Sequence, residues 1–333
     1  MKKVIFFAVL TMLFAQCKKN DSPKPTLVPV VTTVASGLTG PLGMELCDKG
    51  YIWVTQSGTG HNDGKVVVIT PDGKVHTAID CLTSFITEIN EVEGPAHLLF
   101  ADGFLYILGA KGMFLKADVS KYKPTDAPIN GHNLPAENIG AFVLGYNFVS
   151  NAHDTHIYGL TIGSDGAIYI ADAAANAIIR RSKTGVLSVL AEIPGIPNPT
   201  PVGPPFIQSV PTSIIATSQG FLVTAFLGFP FPGGKSIVYK VSQSGNVSIY
   251  QQGFTSLIDI IPGGSYGYLA IQHAVFGATG FAPNTGKLIW LNGTATGDVV
   301  GGLNLPTSIK KVDDHTYYVT TLGDGGTVKK ITF

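Results

Sequence analysis

Charge is scarce in this sequence. Lys and Arg total 22, Asp and Glu total 22, and the formal net charge is zero, with only 13% of residues charged. A nucleic-acid partner needs clustered Lys and Arg, and no such cluster exists, so no nucleic-acid role is expected. Cysteine is equally sparse at three residues, which excludes a disulfide-stapled scaffold. Beyond the first residues no apolar run has the length to cross a membrane as a helix. No long helical pattern is present either. What is abundant is Gly, at 40, and Pro, at 21, in a chain that is 45% hydrophobic. Many short strands joined by tight turns fit that composition, so an all-β fold is expected.

The N-terminus reads differently from the rest. Lys2 and Lys3 precede an apolar run from Val4 to Ala15, the order of a secretory signal peptide and too short to span a bilayer. The run ends in Leu13-Phe14-Ala15-Gln16-Cys17, and the polar stretch Lys18-Lys19-Asn20-Asp21-Ser22-Pro23-Lys24-Pro25 follows. This resembles a bacterial lipobox, whose cysteine is acylated and becomes the mature N-terminus. Gln16 departs from the small residue usual before that cysteine, which keeps ordinary secretion with cleavage elsewhere as the alternative. The expected layout is a lipoprotein signal peptide at 1–16, a lipidated tether at 17–28 and one domain over 29–333. Such a protein is exported and held to a membrane through lipid on Cys17, facing the periplasm or the cell surface.

Internal repeats organise the remaining chain. Each unit opens with a Pro or apolar residue, then any residue, then a small or polar one, and a β-rich run, a glycine turn and a second β-rich run follow. The openings are Pro41-Leu42-Gly43, Pro95-Ala96-His97, Ile157-Tyr158-Gly159, Pro211-Thr212-Ser213, Leu257-Ile258-Asp259 and Pro306-Thr307-Ser308. Their spacing is that of four-stranded blades, which predicts a six-bladed β-propeller. Hairpins of third and fourth strands are visible too, as in Lys65 to Ile69, the turn Pro71-Asp72-Gly73, and Val75 to Ile79. The sixth repeat runs out of chain after three strands, at Thr327 to Phe333. The segment Pro29 to Ala35 has the pattern of the missing outer strand, so closure by an N-terminal strand is expected. Closure would also bring Glu45 and Lys310, at matched inner-strand positions, within ion-pair reach. Residues 118–155 overrun the period and read as an insertion that holds a short helix. The register separates Cys47 from Cys81, so both are expected to be unpaired, buried and structural.

Several stretches resemble a known family. They are Ala35-Ser36-Gly37-Leu38-Thr39-Gly40-Pro41-Leu42-Gly43, Gly58-Thr59-Gly60-His61-Asn62-Asp63-Gly64, Val210-Pro211-Thr212-Ser213, Leu227-Gly228-Phe229-Pro230-Phe231-Pro232 and Gly253-Phe254-Thr255-Ser256. From about Val31 to Phe333 the chain resembles the ScyD/ScyE family, named from scytonemin pigment clusters and related to NHL-type propellers. Asp154-Thr155-His156-Ile157-Tyr158-Gly159-Leu160 is similar to that family's Asp-Ser-Asn-Pro-Tyr-Gly-Leu, with His156 for Asn and Ile157 for Pro. The resemblance implies a propeller and export, and brings no settled activity.

Literal catalytic motifs fail on context. Gly263-Gly264-Ser265-Tyr266-Gly267 spells a nucleophile elbow, but it falls at a strand-to-strand turn rather than a strand-to-helix one. Gly233-Gly234-Lys235-Ser236 lacks both the earlier glycine and the helix of a phosphate loop. The residues most suited to binding lie in loops between second and third strands and between blades, which share one face of a propeller. They include Gln56, His61, Asn62 and Asp63 in blade one; Asp172 and Asn176 in blade three; Phe226, Phe229 and Phe231 in blade four; Gln272 and His273 in blade five; and Asp324 in blade six. Connections between blades add Glu91, Glu93, His153, Asp154 and His156. Each, taken singly, is also a natural turn-former or solvated loop residue.

His153, Asp154 and His156 form the best local set for a divalent cation. Glu93, Asn176 and Asp324 are the set that a gluconolactonase-like propeller would need to converge on a central cation. Loop capping competes with both readings. No nucleophile, base and orienter stand out together. The expected role is therefore a binding or scaffold module for a small molecule, glycan or protein, with a metal-dependent hydrolase or lactonase as the alternative. The expected functional surface is the loop face carrying His61, Asp63, Asp172, Phe229, Phe231 and His273, rather than the opposite face of short turns.

Overall fold

The computed structural model describes residues 28–333. The expected signal peptide, most of the expected tether and Cys17, the expected lipidation residue, lie outside the described residues. Six four-stranded antiparallel units are strung along the chain, each built outward from its first strand. Blade one comprises Pro41–Leu46, Ile52–Gln56, Gly64–Ile69 and Val75–Leu82. Blade two comprises Leu98–Ala101, Phe104–Leu108, Met113–Asp118 and Ala136–Asn138. Blade three comprises Ile157–Ile162, Ile168–Asp172, Ala177–Arg181 and Leu187–Glu192. Blade four comprises Ser209–Thr217, Gly220–Leu227, Ser236–Val241 and Val247–Phe254. Blade five comprises Leu257–Gly264, Gly267–Gln272, Gly286–Asn292 and Ala295–Leu303. Blade six takes Pro306–Lys311, Thr316–Thr321 and Thr327–Thr332 from the end of the chain.

The fourth strand of blade six is Val30–Ser36, paired antiparallel to Thr327–Thr332 from Val30 opposite Thr332 to Ser36 opposite Thr327. First strands touch their neighbours all the way round, including blade six against blade one, so the ring is closed by the N-terminal strand. At the seam the Thr307 hydroxyl donates to the Pro41 carbonyl at 3.0 Å, and Lys310 Nζ lies 3.0 Å from Glu45 Oε2. The ion pair that the repeat register predicts is therefore present.

Two forces hold the blades to one another. Alternating strands bury Val, Ile and Leu between adjacent sheets, with Trp53, Phe221 and Tyr317 among the largest enclosed side chains. Near the axis, where blades converge, small residues allow the approach. A Cβ on Gly43 would fall 2.6 Å from His97 Cα, and one on Gly159 would fall 2.3 Å from the Thr212 carbonyl. Buried hydroxyls stitch the crowded inner strands. Thr55 donates to the Ala96 carbonyl of the next blade, and Thr212 donates to that of Leu257 at 3.2 Å.

The segment 118–155 is more than an addition. Its strand Ala136–Asn138 is blade two's own outermost strand, while Ile129–Asn130 runs parallel to Ile79–Asp80 on blade one. The helix Ile139–Leu144 follows, its first turn capped by Asn138 Oδ1 accepting from Ala141 N at 2.8 Å. Cys47 and Cys81 are unpaired among the described residues and half-buried rather than buried: Cys47 follows its strand into the turn, and Cys81 lies near the end of Val75–Leu82 with a φ of +54°.

Candidate functional site

Loops between second and third strands, and the connections between blades, come together on one face. Over blades four and five they build an aromatic cluster. Phe226 ends a strand, Phe229 and Phe231 occupy the loop that follows, and Phe276 and Phe281 stand on a two-residue hairpin inside blade five's loop. Ring centroids lie 4.8 Å apart for Phe231 and Phe276, 5.2 Å for Phe231 and Phe281, and 5.6 Å for Phe226 and Phe281. Phe229 joins at 6.2 Å from Phe231 and is 51% exposed. His273 lies under the cluster, 5.5 Å from Phe281, with Nδ1 2.8 Å from the Pro306 carbonyl. Burial holds its imidazole below the ordinary histidine pKa, so it is neutral at pH 7. Phe229 and Phe231 are thus brought into one cluster with His273, which is distant in sequence.

A cleft of about 620 Å³ opens on the same face over blades one to three. Phe85, Glu88, Glu91, Glu93, Lys111, Asp154 and His156 line it. Glu93 Oε1 accepts from the Lys111 amide at 2.6 Å, and the Lys111 ammonium stands 4.9 Å from the Phe85 ring. His61 and Asp63 lie alongside, where His61 bridges to Phe85. Asp63 spends its carboxylate on its own loop, accepting from Thr59 N at 2.8 Å and Thr59 Oγ1 at 2.9 Å. Slight burial pushes its pKa up, but those bonds outweigh it and hold the carboxyl below its ordinary value.

Six sequence candidates have different surroundings from those expected. Asp172 is fully buried, not a surface ligand, because its carboxylate accepts from Thr155 Oγ1 at 2.6 Å, His156 N at 2.9 Å and Ala175 N at 3.0 Å. It anchors Thr155 and His156, which lead into the strand Ile157–Ile162. Asn176 is buried, with φ of +53°, and its side-chain oxygen has no partner among the described residues. Asp324 pairs with Lys329 at 2.9 Å and accepts from Asn304 Nδ2 at 2.9 Å, far round the ring in blade six. His153, Asp154 and His156 do not converge: Asp154 caps Thr155 N at 2.7 Å, and the His156 ring packs edge-on to Tyr158 at 5.8 Å. Among the described residues no group of three His, Cys, Asp or Glu side chains is arranged to hold a metal ion.

The axis holds a polar cluster of which the sequence reading reached only the Glu45–Lys310 pair, although all its members occupy the third and fifth positions of the repeat. Asp259 accepts from Ser213 Oγ at 2.7 Å, Ser308 Oγ at 2.9 Å and the Ile309 and Ile260 amides. Burial lifts the Glu45 carboxyl above its ordinary value against the pull of Lys310. Burial also opposes the Lys310 ammonium, yet Glu45 and Asp259 outweigh it and keep its pKa raised. His97 is buried 4.9 Å from the Tyr158 ring; its Nε2 has no partner among the described residues, and burial pulls its pKa down to about 4. With Asp259 saturated by donors and Ser213 and Ser308 bound to it rather than to a base, the cluster ties inner strands together. The nucleophile-elbow pattern at Gly263 to Gly267 is the turn between Leu257–Gly264 and Gly267–Gln272, without a helix.

This closed ring defines the chain as a six-bladed β-propeller. Sequence comparison finds no match among family models or among curated proteins. Solved structures do match. Virginiamycin B lyase from Staphylococcus aureus aligns with a TM-score of 0.51 at 16% identity, covering 92% of this chain and all of its own. A luciferin-regenerating enzyme aligns with a TM-score of 0.59 at 10% identity, covering 92% and 96%. The PQQ-bound aldose sugar dehydrogenase from Streptomyces coelicolor aligns with a TM-score of 0.55 at 12% identity, covering 93% and 99%. At such identities these likenesses establish the fold alone.

Proposed function

We propose that this propeller is an exported, lipid-anchored binding module of the ScyD/ScyE type, whose loop face captures a small molecule with an apolar ring at the cell envelope. The observation that carries the reading is the cluster of Phe226, Phe229, Phe231, Phe276 and Phe281 at the loop surface, with Phe229 half in solvent. A contiguous aromatic patch that is half-buried, with Phe229 exposed, suits a partner's apolar face. The chain's course supports the orientation. Val30 pairs with Thr332 at the turn face and Ser36 with Thr327 at the loop face, so the preceding chain leaves from the turn side. Roughly ten residues of tether reach at most about 35 Å. A lipid on Cys17 then holds the turn face toward the membrane and the loop face outward.

The test is native mass spectrometry of the full chain recovered from its own membranes. A bound small molecule is expected on the wild type and absent from Phe231→Ala/Phe276→Ala, with both proteins equally folded. A molecule retained by the variant would overturn the assignment. Cys17→Ala should move the protein to the soluble fraction; wild-type protein that is already soluble and begins downstream of Cys17 would contradict the anchor.

A further inference from the structure

A second cavity lies on the opposite face, where blades one and two meet. It encloses about 460 Å³ and is walled by Tyr51, Trp53, Phe100 and Tyr122, with the free thiol of Cys47 at its side. Its origin is the departure of the chain after Asp118. Val119 N bonds the Gly103 carbonyl at 2.9 Å and Tyr122 N bonds that of Val119 at 3.1 Å, which folds the Tyr122 ring over the groove to 5.3 Å from Trp53. The chain then continues to Ile129–Asn130 on blade one, so this excursion roofs a groove that neighbouring blades would otherwise leave open.

The wall carries an anomaly. Trp53 and Tyr122 are 2% and 7% exposed, yet Trp53 Nε1 and the Tyr122 hydroxyl have no hydrogen-bond partner among the described residues. Buried polar groups are almost always paired, and an indole N–H can only donate. Two residues with unpaired donors, their rings 5.3 Å apart, line this aromatic-walled cavity of ligand size and call for a guest that brings the acceptor. We infer that this cavity binds a planar aromatic small molecule of about two fused rings, stacked among the aromatic walls and accepting hydrogen bonds from Trp53 Nε1 and the Tyr122 hydroxyl. The site is separate from the loop face, since its walls come from the turn-side ends of blades one and two.

Cys47 supplies a native reporter. The experiment uses the full chain in detergent and coumarin as the probe, a planar bicycle that accepts hydrogen bonds and donates none. Alkylation of Cys47 by iodoacetamide, followed by mass spectrometry with Cys81 as internal control, should slow saturably as coumarin is added. Naphthalene, similar in outline but without an acceptor, should need about tenfold more. Tyr122→Phe or Trp53→Phe should weaken coumarin by about the same factor and leave naphthalene unchanged. Phe231→Ala/Phe276→Ala should alter neither probe, which separates this cavity from the loop-face reading. The inference is overturned if coumarin does not protect Cys47, if the two probes bind equally, or if neither donor deletion weakens coumarin.

Discussion

His97 shows how one side chain couples the axis to pH. Burial holds its pKa at about 4, below the ordinary 6.5 that it regains on unfolding. Between those values the unfolded chain binds a proton that the folded chain refuses. Its contribution to stability is therefore complete above pH 6.5 and is lost as pH falls toward 4, by about 3 kcal/mol at the acid end. Glu45 acts in the opposite sense, because its raised folded pKa favours the folded state while it stays protonated and that favour fades as pH rises. Comparison with His97→Leu isolates the histidine: wild-type melting temperature should fall more steeply from pH 6.5 to 4.5 than that of the variant, and equal slopes would contradict the assignment. Lys310 offers a second check on the axis. Lys310→Ala strands the mostly buried Glu45 carboxylate, at an expected cost of about 3 kcal/mol in urea denaturation. Glu45→Gln/Lys310→Met, which removes both charges, should recover most of that loss; a double variant as unstable as the single would mean that repacking, not the charge, sets the cost.

At the scale of the strand and loop, the repeat's third position faces the axis and its second reaches the next blade. The hydroxyls of Thr212 and Thr307 use the second position to bond the neighbouring inner strand. Thr307→Val preserves shape while removing that donor to Pro41, so a loss of about 1–2 kcal/mol is expected, against no change for Thr184→Val in an exposed turn. Equal stability of Thr307→Val and wild type would show that the stitch contributes nothing. These elements also explain what was legible beforehand. Strand alternation and glycine turns repeat six times and carry their own register, which is why Glu45 and Lys310 could be paired from the sequence. Asp172 could not be told from a ligand, because its three donors come from Thr155, His156 and Ala175, and only the loop's path brings two of them to it. Phe276 and Phe281 were missed for a related reason: a two-residue hairpin inside a loop leaves no periodic signal, yet it completes the aromatic cluster. Residues 118–155 looked like an interruption because blade two's outer strand is only three residues long.

For the molecule as a whole, every gathered site depends on the ring. The aromatic cluster draws on blades four and five, the acidic cleft on blades one to three, and the seam on both chain ends. An open ring would leave the edge of Thr327–Thr332 exposed and release blade six from blade one. Closure can be tested on the pairing itself. Thr33 lies opposite Lys329 in the seam, and facing residues in antiparallel strands have the separation a disulfide requires. In Thr33→Cys/Lys329→Cys the account predicts an intramolecular disulfide under mild oxidation, seen as faster migration on a non-reducing gel because nearly the whole chain is looped, together with a raised melting temperature. If those two cysteines stay reduced, or link only between molecules, under conditions in which the protein is folded, the N-terminal strand does not close the propeller.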